Sequence, residues 1–437
     1  MTTPRVWLLR AALGAALAWT LFSSGVRVSD EALHSPSPIP DRVILTWNGD
    51  PAATQAVTWR TSLGVEGARA QIAEAGDGPD FTKLAREVKA KTETLKSDLS
   101  TALYHSVTFR DLKPSTVYAY RVGDGSHWSE WHQFRTASDR PAPVEFLYVG
   151  DAQNDILSLW SRVVRNGYRE APKAHFFIHA GDLVNKGSAD AQWGEWFRAG
   201  GWLNGTLPSL PAPGNHEYDQ KVEGKRVPTA HWRRQYTLPE NGVPGLEETC
   251  YYVDIQGVRV VALNSNEKHE EQAAWLDGLL AKNPNRWTIL TFHHPIYSTA
   301  RGRDNKELRE LWQPVFDKYG VDLVLQGHDH TYGRSNLISG ANAKSGGTVY
   351  VVSVSGPKMY ELDRHDWMQR KAEDTQLFQI IRIDGDRLQF ESRTARGLLY
   401  DAFELRKRRN GPNVIVNRPP TMPERLRKPA PPAPSAD

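Results

Sequence analysis

The sequence predicts a two-part α+β protein: an all-β sandwich over residues 37–138, then a mixed-sheet α/β domain over 144–406. Three observations lead there. Short runs rich in β-branched and aromatic residues fill the first stretch, bounded by turn residues. Beyond a linker at 138–143, five apolar runs each stop at a cluster of Asp, Asn or His. Amphipathic helical stretches separate some of those runs, and open α/β sheets place their sites at such strand ends.

The chain has 437 residues, enough for two to four domains at about 150 residues each. A net charge of +3, from 54 basic and 51 acidic residues, points to no nucleic-acid groove. Cys250 is the only cysteine, which excludes a disulfide framework and a thiolate metal cluster. Arg5 and Arg10 precede an apolar run at 11–22, broken only by Gly14 and Thr20 and followed by Ser23-Ser24-Gly25. This predicts a cleaved export signal over 1–25 and a secreted or periplasmic protein with no membrane span after cleavage. An uncleaved anchor is the second reading, because the run falls short of the roughly 20 residues a span needs. Residues 407–437 are basic and carry seven prolines in the last twenty, so they read as a disordered tail.

In the first part, 43–47, 56–60, 104–109 and 116–122 read as strands. The stretch Leu112-x-Pro114-x-Thr116-x-Tyr118 resembles the strand-entry corner of fibronectin type III domains, whose Tyr anchors the sandwich. Phe134-Arg135-Thr136 leaves that module as its last strand. The charged stretch 80–97 reads as a solvated loop or hairpin.

In the second part, 144–149 ends at Gly150-Asp151, and 176–178, followed by His179-Ala180, leads to Gly181-Asp182. The run 207–213 leads to Gly214-Asn215-His216-Glu217, and 287–292 ends at His293-His294-Pro295. The run 321–325 reads as a strand buried on both faces and ends at Gln326-Gly327, with His328 and His330 beyond it. Helices are predicted over 155–169 with Asp155 as cap, over 268–282, and over 304–318 with a capping-box pair Asp304 and Glu307. Further strands at 348–355 and 377–405 make the sheet mixed.

Two Asp, one Asn and three to four His suit a pair of divalent metals. Such a pair suits hydrolysis of a phosphate ester, by generating hydroxide near neutral pH and neutralising phosphoryl charge. His216, Arg301, Arg303 and Arg334 are candidate donors to an anionic substrate. His175 and His179 read as packing residues, Glu217 and Tyr218 as supports to the site, and Trp193, Trp196 and Trp202 as core.

The ordered set GD, GDLVN, GNHE, HHP and GHDH resembles the calcineurin-like metallophosphoesterases. With the fibronectin-like module, residues 40–405 look like the purple acid phosphatase branch. The resemblance implies a β-sandwich flanked by helices, in four layers α/β/β/α. It implies that Asp182 bridges two metals, that Asn215, His293 and His328 complete one site, and that Asp151 and His330 belong to the other. His216 matches the histidine that contacts phosphate and protonates the leaving group. His294, Arg301 and Arg303 fall where substrate contacts are expected. The implied function is an exported phosphatase that cleaves small phosphomonoesters by attack of a hydroxide bridging two divalent ions (Fe, Mn or Zn). The alternatives are a phosphodiesterase or nucleotidase on the same core, or a non-catalytic metal-binding surface protein. Two positions depart from the branch. Asn185 stands where it places an iron-binding Tyr, and Gln153 stands where other members have His or Gly. Either could give the first metal a neutral oxygen.

Overall fold

The computed structural model describes residues 28–340, 346–408 and 411–427; the predicted export signal and the last ten residues lie outside them. Among the described residues no helix is long and apolar enough to cross a membrane. Eight strands form the first domain: β1 (Asp41–Thr46), β2 (Gln55–Ser62), β3 (Arg69–Glu74), β4 (Arg86–Lys89), β5 (Lys91–Lys96), β6 (Thr101–Phe109), β7 (Val117–Gly123) and β8 (His132–Arg135). They make two antiparallel sheets, β1-β2-β6-β5 and β4-β3-β7-β8. Inward residues of both, among them Leu45, Val57, Trp59, Ile72, Phe109 and Tyr120, form one core. Tyr118 fixes the corner as the sequence predicts: its hydroxyl accepts from the Lys113 amide at 2.9 Å. The stretch 80–97 is not a hairpin, because β4 pairs with β3 in one sheet and β5 with β6 in the other.

The second domain holds two seven-stranded sheets. The first is built from β9 (Val144–Val149), β10 (Phe176–Ala180) and β11 (Ser209–Ala212), all parallel. After the short hairpin β12 (Gln220–Val222) and β13 (Lys225–Val227), the second sheet takes β14 (Tyr251–Ile255), β15 (Val258–Ala262), β16 (Trp287–Phe292), β17 (Leu323–Gln326), β18 (Tyr332–Ile338), β19 (Thr348–Val352) and β20 (Met368–Ala372). The chain then returns to the first sheet with β21 (Leu377–Asp384), β22 (Arg387–Thr394), β23 (Leu399–Arg406) and β24 (Val414–Asn417). Pro211 is tolerated because β11 is an edge strand.

Alternation along the strands shows why both faces are covered. Leu323, Leu325, Val349 and Val351 point into a core shared with Phe146, Tyr148 and Ile381 of the opposing sheet. Val324 and Tyr350, one residue out of phase, pack under the helices His269–Ala281 and Lys306–Tyr319. Helices Ser161–Glu170 and Asp190–Gly200 cover the first sheet through Val163, Trp193 and Trp196. The result is the four-layer α/β/β/α arrangement.

The domains share a buried ion network. Asp190 accepts from Arg42 at 2.7 and 2.8 Å and from Arg60 at 3.2 Å, and Arg60 also holds Asp41 at 2.6 Å. Removing one partner of such a buried pair costs about 3–5 kcal/mol, because a charge is left uncompensated.

Several sequence expectations change. Part of the tail is built into the fold: Val414–Asn417 pairs with β23, Met422 packs on the core, and Arg427 bonds Asp374 at 2.7 Å. Asp155 is no cap. It sits in a left-handed turn with no capping bond, and the stretch after it is a π-helix, Ile156–Trp160, before the α-helix begins. Asp304 does not cap either; it holds Arg309 at 2.6 Å, and the helix starts two residues later. Trp202 is 56% exposed rather than core.

Candidate metal centre

Five strand ends meet in one cleft. Asp151 follows β9, Asp182 follows β10, Asn215 follows β11, His293 follows β16, and His328 and His330 follow β17. Four of these residues have positive φ: Asp151 (46°), Asp182 (51°), His328 (73°) and His330 (49°). Such strain in L residues persists only where surroundings enforce it, and it concentrates at functional sites. The neighbouring glycines are the enforcement. A Cβ on Gly181 would lie 2.6 Å from His293 Nδ1, and one on Gly327 would lie 2.4 Å from Asp151 Oδ2.

Two groups of ligand-type atoms result. Asp151, Asp182 and His330 bring ligand atoms within 4.8 Å of one another, as do His293, His294 and His328. Asp182 Oδ2 links them, 3.1 Å from His293 Nε2. Asn215 Oδ1 lies 3.2 Å from the same nitrogen. His293 Nδ1 meets the Ala180 carbonyl at 2.9 Å and His330 Nδ1 meets the Lys358 carbonyl at 2.9 Å. A carbonyl only accepts, so both histidines carry a proton on Nδ1 and turn Nε2 inward. Asp151 is buried, and burial, opposed by the neighbouring His293 and reinforced by the Asp182 charge, pushes its carboxyl well above the usual range. Among the described residues neither carboxylate has a Lys or Arg partner; their ion-pair contacts are histidines only.

This donor set fits divalent cations. Atoms bound about 2.1 Å from a shared ion sit roughly 3.0–3.4 Å apart, which is the spacing seen around His293 Nε2. Two crowded, buried carboxylates without a basic partner also need a positive charge between them.

Around the donors lies a supporting frame. Glu217, fully buried, accepts from the amides of Asp182 (2.9 Å), Leu183 (2.9 Å) and Gly214 (2.7 Å), and so ties two ligand turns together. Asp329, inside the GHDH motif, was not singled out in the sequence. Its Oδ2 accepts from the amides of Thr299 (2.6 Å) and Ala300 (3.2 Å), and its Oδ1 faces Arg303 at 3.4 Å. Arg303 also donates to the His328 carbonyl at 3.0 Å and lies 4.8 Å over the Tyr360 ring, which in turn packs 4.5 Å from His330. Tyr360 was invisible in the sequence, because no motif spacing marks it.

The predicted substrate contacts divide. His216 lies at the cleft, its amide on Asp182 Oδ1 at 3.0 Å and its Nδ1 2.6 Å from the Asn185 carbonyl. His294 is held by Ser265 at 2.8 Å, and it lines a cavity of about 570 Å³ with Asn215, Tyr218, Asn266 and His269. Arg303 reaches the rim. Arg301 does not: it is exposed and bonds Glu361 at 2.6 Å. Arg334 is buried behind the site, bidentate on Asp401 at 2.7 and 2.9 Å, so it is structural. His179 is boxed by Trp160, Phe177 and Trp196, as a packing residue should be.

Comparison with known proteins gives the family and the fold. Residues 40–136 match the purple acid phosphatase N-terminal domain, and residues 130–332 match the calcineurin-like phosphoesterase family. Purple acid phosphatase 15 of Arabidopsis thaliana is 29% identical over 296 residues, covering 59% of this chain and 54% of that protein. Human acid phosphatase type 7 is 27% identical over 347 residues, covering 72% and 74%. The chain thus spans about half the length of the plant relatives it matches. Among solved structures, the purple acid phosphatase PPD1 from yellow lupin seeds superposes with a TM-score of 0.71 at 18% identity, covering 84% of this chain and 74% of that one. A structure of PhoD gives 0.65 at 12% identity, covering 90% and 94%. At these identities the two superpositions speak for the fold.

Proposed function

The chain belongs to the calcineurin-like phosphoesterases, in their purple acid phosphatase-like branch, and from that premise we propose that it is an exported, metal-dependent phosphatase acting on small phosphomonoesters. The observation that carries this reading is the shared Asp182: one carboxylate stands between two groups of inward-facing donors, with His216 beside it. Asp151, Asp182 and His330 would hold one cation, and Asp182, Asn215, His293 and His328 the other. Two divalent cations there supply Lewis acidity and a hydroxide nucleophile near neutral pH.

The chain's own groups divide the remaining work. His216 donates Nδ1–H to the Asn185 carbonyl, which fixes its ring and leaves Nε2 facing the cleft, 3.8 Å from Asp182 Oδ2. A proton on that Nε2 goes to the departing ester oxygen. Arg303 is held at the rim by Asp329 and Tyr360, so its charge is available to a phosphoryl oxygen without reordering the side chain. His294 faces the 570 Å³ cavity, where the leaving group would sit. The basic start and apolar run at 1–25 support the export part. A panel of phosphomonoesters and phosphodiesters, assayed on purified, metal-loaded protein, tests the reading. Turnover of monoesters is expected; a preference for diesters would move the substrate class, and no turnover on any ester would leave a binding role.

A further inference from the structure

We propose that Gln153 completes the Asp151–Asp182–His330 cation site through its side-chain oxygen, Oε1. The assignment rests on the two-cation reading above. Gln153 is fully buried, and among the described residues its Oε1 has no hydrogen-bond partner. Its other terminal atom, Nε2, lies 3.1 Å from Asp182 Oδ2 and 2.8 Å from His330 Nε2. That end of the amide therefore already touches two donors of the site. The two ends of a carboxamide have the same shape, and which one faces a neighbour follows from the charge there. In the structure the NH₂ faces the carboxylate and the imidazole nitrogen. With a cation between them, only the oxygen can face inward, because an amide nitrogen has no lone pair to give.

The position is fixed by the backbone. The Gln153 amide donates to the Asp182 carbonyl at 3.2 Å, and Gly356 packs so closely that a Cβ there would lie 2.8 Å from the Gln153 carbonyl oxygen. Asn185 cannot serve as well. It lines a different cavity, with Asn154, Asp155, Gln192 and Glu195. The resulting donor set is two carboxylates, one amide oxygen and one imidazole. Such an oxygen-rich set suits a hard divalent ion such as Mn²⁺, whereas the histidine-rich second site suits Zn²⁺ or Fe²⁺.

The test is a titration of the metal-free protein with Co²⁺, read by its visible d–d absorption and by elemental analysis. Wild type should take up two equivalents. Gln153→Leu should weaken one of them by more than about 100-fold, beyond the 10–100-fold that loss of an outer partner costs, and should change that ion's d–d bands while leaving the other's intact. Gln153→Glu, which keeps an oxygen in place, should hold both equivalents at least as tightly as wild type. Gln153→Met carries the same test if the leucine variant does not fold. Two equivalents with unchanged affinity and spectrum in the leucine or methionine variant would overturn the assignment alone. A wild type that binds no cation would overturn the two-cation reading and this assignment with it.

Discussion

His293 Nε2 and His328 Nδ1 face each other across 3.1 Å, with their rings 78° apart. The same His293 nitrogen also meets Asp182 Oδ2 and Asn215 Oδ1, which only accept hydrogen bonds. A convergence of lone pairs from four residues, on four different strand ends, has a positive charge as its natural occupant. Asp182→Asn or His328→Ala should therefore abolish ester hydrolysis while circular dichroism stays that of the folded protein. Chelator-treated protein should be inactive until a divalent ion is returned. Full activity in a sample shown to be metal-free would refute the mechanism.

The tautomer of His216 leads to a second expectation. His216→Ala should lower turnover by about 10²–10⁴-fold for esters with poor leaving groups. Activated aryl phosphates, whose leaving groups need no proton, should lose much less. Equal losses on alkyl and aryl substrates would assign the residue to phosphate binding.

The purified protein should be colourless. A purple band needs a tyrosinate on ferric iron, and Asn185 occupies the loop position that would carry it. Of the tyrosines near the site, Tyr360 packs its ring on His330 and Tyr148 donates its hydroxyl to the Gln326 carbonyl. With no phenolate ligand the first site favours a divalent ion, so the pH optimum should lie nearer neutral than acid. A visible spectrum with elemental analysis decides; a strong visible tyrosinate-to-iron band would contradict this.

Acid should destabilise the fold through His179. Burial lowers its pKa to about 3, and among the described residues neither ring nitrogen has a hydrogen-bond partner. The folded state holds it neutral while the unfolded chain protonates it near 6.5. Its contribution is thus complete above about pH 6.5 and is lost as pH falls toward 3, at up to about 1.4 kcal/mol per pH unit. Chemical denaturation of wild type and His179→Phe at pH 4.5 and 7.5 should show the variant losing less stability on acidification. Parallel losses would show that His179 takes no part.

The motif residues were legible because each sits where a strand stops, and chemistry and topology leave the same mark there. Asp151, Asp182, Asn215, His293, His328 and His330 all meet in one cleft. What proximity in sequence suggested for Arg334, proximity in space denied. Strand β18 buries it, and its partner Asp401 lies 67 residues away. Arg301 and Arg303 look equivalent in sequence, yet only Arg303 finds Asp329. The hairpin β14–β15 gave no distinct signal, although Val258, Val260 and Ala262 alternate with a different core from Val261. The π-helix after Asp155 was unreadable because it follows from the left-handed turns at Asn154 and Asp155, not from a residue pattern.

Asp190 belongs to the second domain, but the guanidinium groups that balance it come from the first. A gene cut at the linker would strip Asp190 of both guanidinium partners in one fragment and leave Arg42 without its carboxylate in the other. The sandwich is therefore no detachable appendage. Heating should melt the two halves as a single calorimetric transition, and neither half should express well alone.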